Sequence, residues 1–321
     1  MIRRGVLGLV ILAAAVATAH AGVPLESQLA RLSDAPVRAS IAGVVLDGAI
    51  AEISGLATSR RADHRLWAIN DSDNGNLLHQ ISTAGRLLGT WPVEGARNYD
   101  WEDLASYELD GEAWLLIADT GDNGGLREEI ELIAVREPAA DAAPGPLPAA
   151  WRLRVRWPDG PRDCEAVAVD PVAREVLLIA KKRVPAQVFR VPLPTGAPAD
   201  VAVRAEQIAS IPGIPQPTED DLRKAPAGAR FMSQITAADL SPDGLRLALL
   251  TYREAYLLQR APGEAWLDAL RRPPLRLRMP PLLQAEAIAF DRAGRALYIG
   301  TERLPAPLIR IEPHEGGQPV R

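Results

Sequence analysis

The chain has 321 residues, 47% of them hydrophobic and only 5% aromatic, with a formal net charge of −5. That is enough apolar material for a sizeable core built on Ala, Val, Leu and Ile, and the acidic balance argues against nucleic acid as a partner. Cys164 is the sole cysteine, so no intrachain disulfide forms and stability must come from packing.

The first segment reads as an export signal. Met1-Ile2-Arg3-Arg4 is a short basic start, residues 6–16 are apolar, and Ala19-His20-Ala21 places small residues where a signal peptidase reads them. A membrane anchor is the rival reading, but the apolar run falls short of the roughly 20 residues that span a bilayer. The expectation is a cleaved signal peptide over 1–21 and a periplasmic or secreted protein, with a lead-in over 22–36. No later segment is long and apolar enough to span a membrane.

From residue 50 onward one plan recurs. Ser54-Gly55-Leu56-Ala57 precedes Leu66-Trp67-Ala68-Ile69, Glu102-Asp103-Leu104-Ala105 precedes Leu115-Leu116-Ile117-Ala118, and Glu165-Ala166-Val167-Ala168 precedes Leu177-Leu178-Ile179-Ala180. Thr236-Ala237-Ala238-Asp239 before Leu247-Ala248-Leu249-Leu250, and Glu286-Ala287-Ile288-Ala289 before Ala296-Leu297-Tyr298-Ile299-Gly300, complete the set. Turn residues such as Ser241-Pro242-Asp243-Gly244 separate the paired strands. A third strand follows in every unit, and a more polar fourth follows in four of them. Four-stranded repeats predict an all-β, single five-bladed β-propeller over 37–313, with a tail at 314–321. The fifth unit lacks its fourth strand, and the unused strand-like stretch 37–46 fills that place, closing the ring. Six blades would need another unit within 194–231, which lacks the two-strand signature; a β-sandwich is disfavoured by the repeat. Residues 138–150 read as an Ala/Pro linker, and 263–270 as a short helix with Trp266 and Leu270 on one face.

In a propeller the innermost strands line a central channel, so equivalent positions form rings. One ring is Ser54, Glu102, Glu165, Thr236 and Glu286, and a second is assigned to Asn70, Asp119, Lys181, Thr251 and Thr301. Converging carboxylates repel one another and call for a cation, a shared proton or basic partners. Glu102, Glu165 and Glu286 are therefore the candidate catalytic acids, and Asn70, Asp100, Asp103, Asp119, Lys181, Tyr252 and Arg253 the candidate ligand-binding residues. A solvated acidic rim without function is the alternative. Asn70-Asp71-Ser72-Asp73-Asn74-Gly75 and Asp119-Thr120-Gly121-Asp122-Asn123-Gly124 are dense in hard oxygen ligands, which suit Ca²⁺ and make Asp71, Asp73, Asp122 and Asn123 candidate metal ligands. Their simpler role is that of turn residues. No Gly-x-Ser-x-Gly segment or His/Cys cluster points to a serine hydrolase or to zinc, and Cys164 reads as a small apolar filler.

The runs Asp100-Trp101-Glu102-Asp103-Leu104, Gly121-Asp122-Asn123, Asp163-Cys164-Glu165-Ala166 and Ile235-Thr236-Ala237-Ala238-Asp239-Leu240-Ser241-Pro242-Asp243-Gly244 resemble those of exported bacterial propellers labelled "esterase-like activity of phytase" or WD40-like. The resemblance covers about residues 50–310. It implies a propeller without an established reaction, and likeness to gluconolactonase-type and phytase-type propellers implies axial calcium, although Lys181 departs from an all-oxygen ring. Two functions follow. One is a monomeric binding propeller holding a small-molecule or cell-envelope ligand; the other is a hydrolase of esters, lactones or glycosides using channel carboxylates.

Overall fold

The computed structural model describes residues 34–35, 37–194, 196 and 201–313. The expected signal peptide, the lead-in apart from Asp34 and Ala35, and the tail at 314–321 lie outside the described residues. Five antiparallel sheets of four main strands form a closed ring, a five-bladed β-propeller. The innermost strands are Ile53–Thr58, Trp101–Leu109, Cys164–Asp170, Ile235–Leu240 and Ala285–Phe290 in blades I to V. They are buried nearly throughout, because five strands converge on one axis. Small residues permit that convergence. At Gly55 a Cβ would lie 2.6 Å from the Leu104 nitrogen of the next blade, closer than backbone tolerates.

Cohesion lies between the blades. Each of five hydrophobic clusters joins one adjacent pair, as where Trp67 and Leu78 of blade I meet Leu104 and Ile117 of blade II. The ring is sealed by strand exchange. Val37–Val45 is the outer strand of blade V and pairs antiparallel with Ala306–Pro313, from Val37 opposite Pro313 to Val45 opposite Ala306. The N-terminal strand thus closes the ring where the repeat count requires it, and the described residues of 194–231 hold no sixth blade.

Short parallel pairs add a stitch that periodicity does not reveal. Leu147–Pro148 pairs with the outer strand of blade I, Val203–Arg204 with that of blade II, and Asp34–Ala35 with that of blade IV. The Ala/Pro stretch expected to be a linker therefore carries one of these stitches, and the expected fourth strand of blade III divides into Val203–Arg204 and Glu206–Ile211. Two short helices belong to the loops of blade IV, and the second of them bridges to blade III. Helix α1 (Glu219–Lys224) is capped by Thr218, which exchanges hydrogen bonds with Asp221. The single turn α2 (Trp266–Ala269) buries Trp266, whose indole N–H donates to Asp170 at 3.1 Å beside an Arg260–Asp170 ion pair at 2.6 Å. No helix among the described residues is long and apolar enough to cross a membrane.

Candidate ligand site at the channel mouth

Every inner strand carries a β-bulge at its second residue, where the register with the neighbouring strand shifts: Ser54, Glu102, Glu165, Thr236 and Glu286. A bulge leaves one residue out of the ladder and re-aims its side chain. The hydroxyl of Ser54 donates to the Trp101 carbonyl at 2.8 Å and that of Thr236 to the Ala285 carbonyl at 2.9 Å, so these two tie neighbouring blades together. Glu102, Glu165 and Glu286 instead line a cavity of about 840 Å³ at that end of the channel.

The second ring needs one correction. Asn70, Asp119, Thr251 and Thr301 each face the first residue of an inner strand, and their counterpart in blade III is Ala180 rather than Lys181. Lys181 lies one residue further on, level with Asp71, Thr120, Tyr252 and Glu302. Thr120 hydrogen-bonds to the Cys164 carbonyl at 2.6 Å, and Asp71, Lys181, Tyr252 and Glu302 line the cavity.

Three cations reach this cavity, and each is engaged. Lys181 contacts Glu165 and lies 5.4 Å from the Tyr252 ring centroid; Lys182 meets Asp163 at 2.7 Å; Arg253 meets Asp221 of α1 at 3.4 Å. The Tyr252 hydroxyl donates to Glu286 at 2.8 Å. Glu102 is 7% exposed and has no hydrogen bond or ion pair among the described residues. Its surroundings are acidic: one oxygen each from Asp71, Asp100 and Glu102 lies within 4.8 Å of the others, and so do oxygens of Glu102, Asp163 and Glu165. Gly121 makes this crowding possible, since a Cβ there would overlap Glu102 Oε1 and the Asp100 carboxyl.

Burial, then repulsion from Glu165, Asp71 and Asp100, holds the Glu102 carboxyl well above the usual range. Burial also lifts Glu286 to about 7, with Glu302 adding to the rise, and Asp100 to about 6, with Asp71 adding. Burial raises Glu165 against the pull of Lys181. Burial opposes the Lys181 charge too, but Glu165, Tyr252 and Glu102 outweigh it and keep the ammonium protonated.

The remaining sequence candidates divide. Arg253 and Asn123 line the cavity, Asn123 being held by Lys182 at 2.9 Å, and Asp100 joins the acid cluster. Asp73 sits in a turn at positive φ, outside the lining. Asn70 spends its carboxamide on Ala49 and Glu52, and Asp119 pairs with Arg127 at 2.8 Å. Asp122 accepts from the backbone of Leu126 and Arg127 within its own loop. Asp103 lies deep in the channel and accepts from the backbone of Val167 and Ala238, on two other blades. Sequence reasoning missed a wall of Phe231, Met232, Met279, Leu282 and Leu283. These residues lie in the loops that lead into the inner strands of blades IV and V, a position that could have marked them.

No protein-family model matches the chain, and a search of curated proteins finds no significant match.

Proposed function

We propose that this propeller binds a small ligand at the acidic mouth of its channel, with Glu102 as the principal contact and Glu286, Tyr252 and Asp71 around it. The observation that carries this reading is a buried carboxyl without a partner on the wall of a cavity. Burial leaves such a group short of hydration, and a ligand that donates to it through the cavity compensates that loss. Export to the periplasm or beyond, and a ligand of the cell envelope, accord with the resemblance to exported propellers. A panel of sugars, amino sugars, amines and cell-wall fragments tested by thermal shift should contain compounds that raise the melting temperature by about 2–4 °C, as expected for about 1 kcal/mol of linkage. The same compounds should leave Glu102→Gln unmoved; equal shifts in both proteins would dismiss the site.

A hydrolase is the second reading. It is favoured by the closeness of Glu102, whose raised pKa suits a proton donor, to Glu165 and Asp163. Glycosidases of the retaining kind hold two carboxyl groups about 5–5.5 Å apart. Asp71, Asp100 and Glu102 also offer hard oxygen ligands for Ca²⁺, a better set than the four loop residues named from sequence, because Asp122 already caps its own loop. Hydrolysis of esters, lactones and glycosides, measured with and without calcium, tests this reading. Turnover abolished in both Glu102→Gln and Glu165→Gln would support it, and no turnover on any class would remove it. Calcium held by the cluster should raise the melting temperature of the wild type but not of an Asp71→Asn, Asp100→Asn variant.

A further inference from the structure

Resting on the binding reading above, we infer that the ligand is an amphiphilic cation: a protonated amine, or a comparable organic cation, joined to an apolar body. Two features of one cavity carry this. The first is an imbalance of charge. Lys181, Lys182 and Arg253 are each committed to an acid, while Asp71, Glu102 and Glu286 have no ion pair among the described residues. A neutral hydroxyl can donate to these groups but leaves their mutual repulsion in place; a cation removes it.

The second feature is the wall. Phe231, Met232, Met279, Leu282 and Leu283 border the same cavity as the acids, and Leu283 is 87% exposed. A bare metal ion or a small polar cation would leave this apolar surface in contact with water. A ligand that sets a hydrocarbon or aromatic body against it is rewarded for the area covered, and the cavity volume suits a molecule of that size. Arg253 belongs to the apolar side of the cavity, its guanidinium being held by Asp221 of α1, outside the lining, and by the Met232 sulfur.

Four probes separate the contributions in calorimetric titrations. 2-Phenylethylamine carries charge and body, ethylamine the charge alone, 2-phenylethanol the body alone, and 3-phenylpropionate the opposite charge. 2-Phenylethylamine should bind best, with each of the others at least about tenfold weaker, the loss of one charge-assisted contact or one buried ring. Glu102→Gln should abolish the preference for the amine over the alcohol. Phe231→Ala should weaken 2-phenylethylamine and leave ethylamine unchanged.

Equal binding of amine and alcohol, or failure of the amine to bind the wild type, overturns the inference. If the alcohol then still loses affinity in Glu102→Gln, the binding reading survives with a neutral ligand. If no probe that binds distinguishes Glu102→Gln from the wild type, although both melt cooperatively, the binding reading falls as well.

Discussion

Glu102 and Glu165 occupy the same position in neighbouring blades, yet they should answer the same substitution in opposite ways. Lys181, 9% exposed, faces Glu165, so Glu165→Gln leaves a buried ammonium unpaired and should cost about 3–5 kcal/mol, read by denaturant unfolding. Glu102 has no cation to strand, and Glu102→Gln should melt higher than the wild type at pH 8. The pH dependence has a definite sign. Glu286 ionises at about 7 in the folded protein against an ordinary 4.5, so the folded chain holds a proton that the unfolded chain has lost. The stabilisation is complete below about pH 4.5 and is lost as pH rises through about 7. Melting curves of Glu286→Gln should therefore be flatter over that window; a wild-type melting temperature that rises there would contradict the assigned burial. Gly121→Ala puts a methyl group into the space used by Glu102 and Asp100. It should destabilise the fold by about 1–3 kcal/mol and weaken whatever the mouth binds.

Among the elements, the repeated bulge turns an ordinary inner strand into a channel-lining one, and a comparable close fit recurs at the ring seam. Gly43, at the register shift of the Val37–Val45 strand, lies against the Ala84 backbone of the blade I hairpin, where Val44 N–H donates to the Ala84 carbonyl at 3.3 Å. Gly43→Ala should push the seam apart and lower stability by about 1–3 kcal/mol, measured by thermal or denaturant unfolding. The inner strands were legible in the sequence because each carries a polar residue near its start, followed by a small residue in every blade but II, where Asp103 follows Glu102; that pattern also located Glu102, Glu165 and Glu286 in one ring. The second ring was misread in blade III because a run of apolar residues does not reveal where a strand stops; the ladder, ending at Ala180, does. Two-residue stitches such as Leu147–Pro148 are too short to show a period. The apolar wall lies in the loops that lead into two neighbouring inner strands, so it emerges only when blades IV and V are set side by side. Asp103 illustrates the limit for single residues: its acid type suggested a ligand contact, while its depth in the channel gives it backbone N–H donors from blades III and IV.

For the whole molecule, closure is the decisive property. Removing residues 1–45 strips the outer strand from blade V and exposes the edge of Ala306–Pro313, so the truncated protein should aggregate. Size-exclusion chromatography checks this, and a monodisperse, cooperatively melting truncation would mean that the ring holds without its clasp. The same pairing also acts on the timing of synthesis. The strand at 37–45 is among the first parts of the ring to be made, and its partner at 306–313 is the last strand of the ring. At translation rates of about 5–20 residues per second, the wait between them is on the order of tens of seconds. Over that interval blades I to IV can assemble as an open arc, while the early strand offers an unpaired backbone to any competitor. A chaperone or another nascent copy therefore has a defined opportunity to intervene, which ends when residues 306–313 arrive.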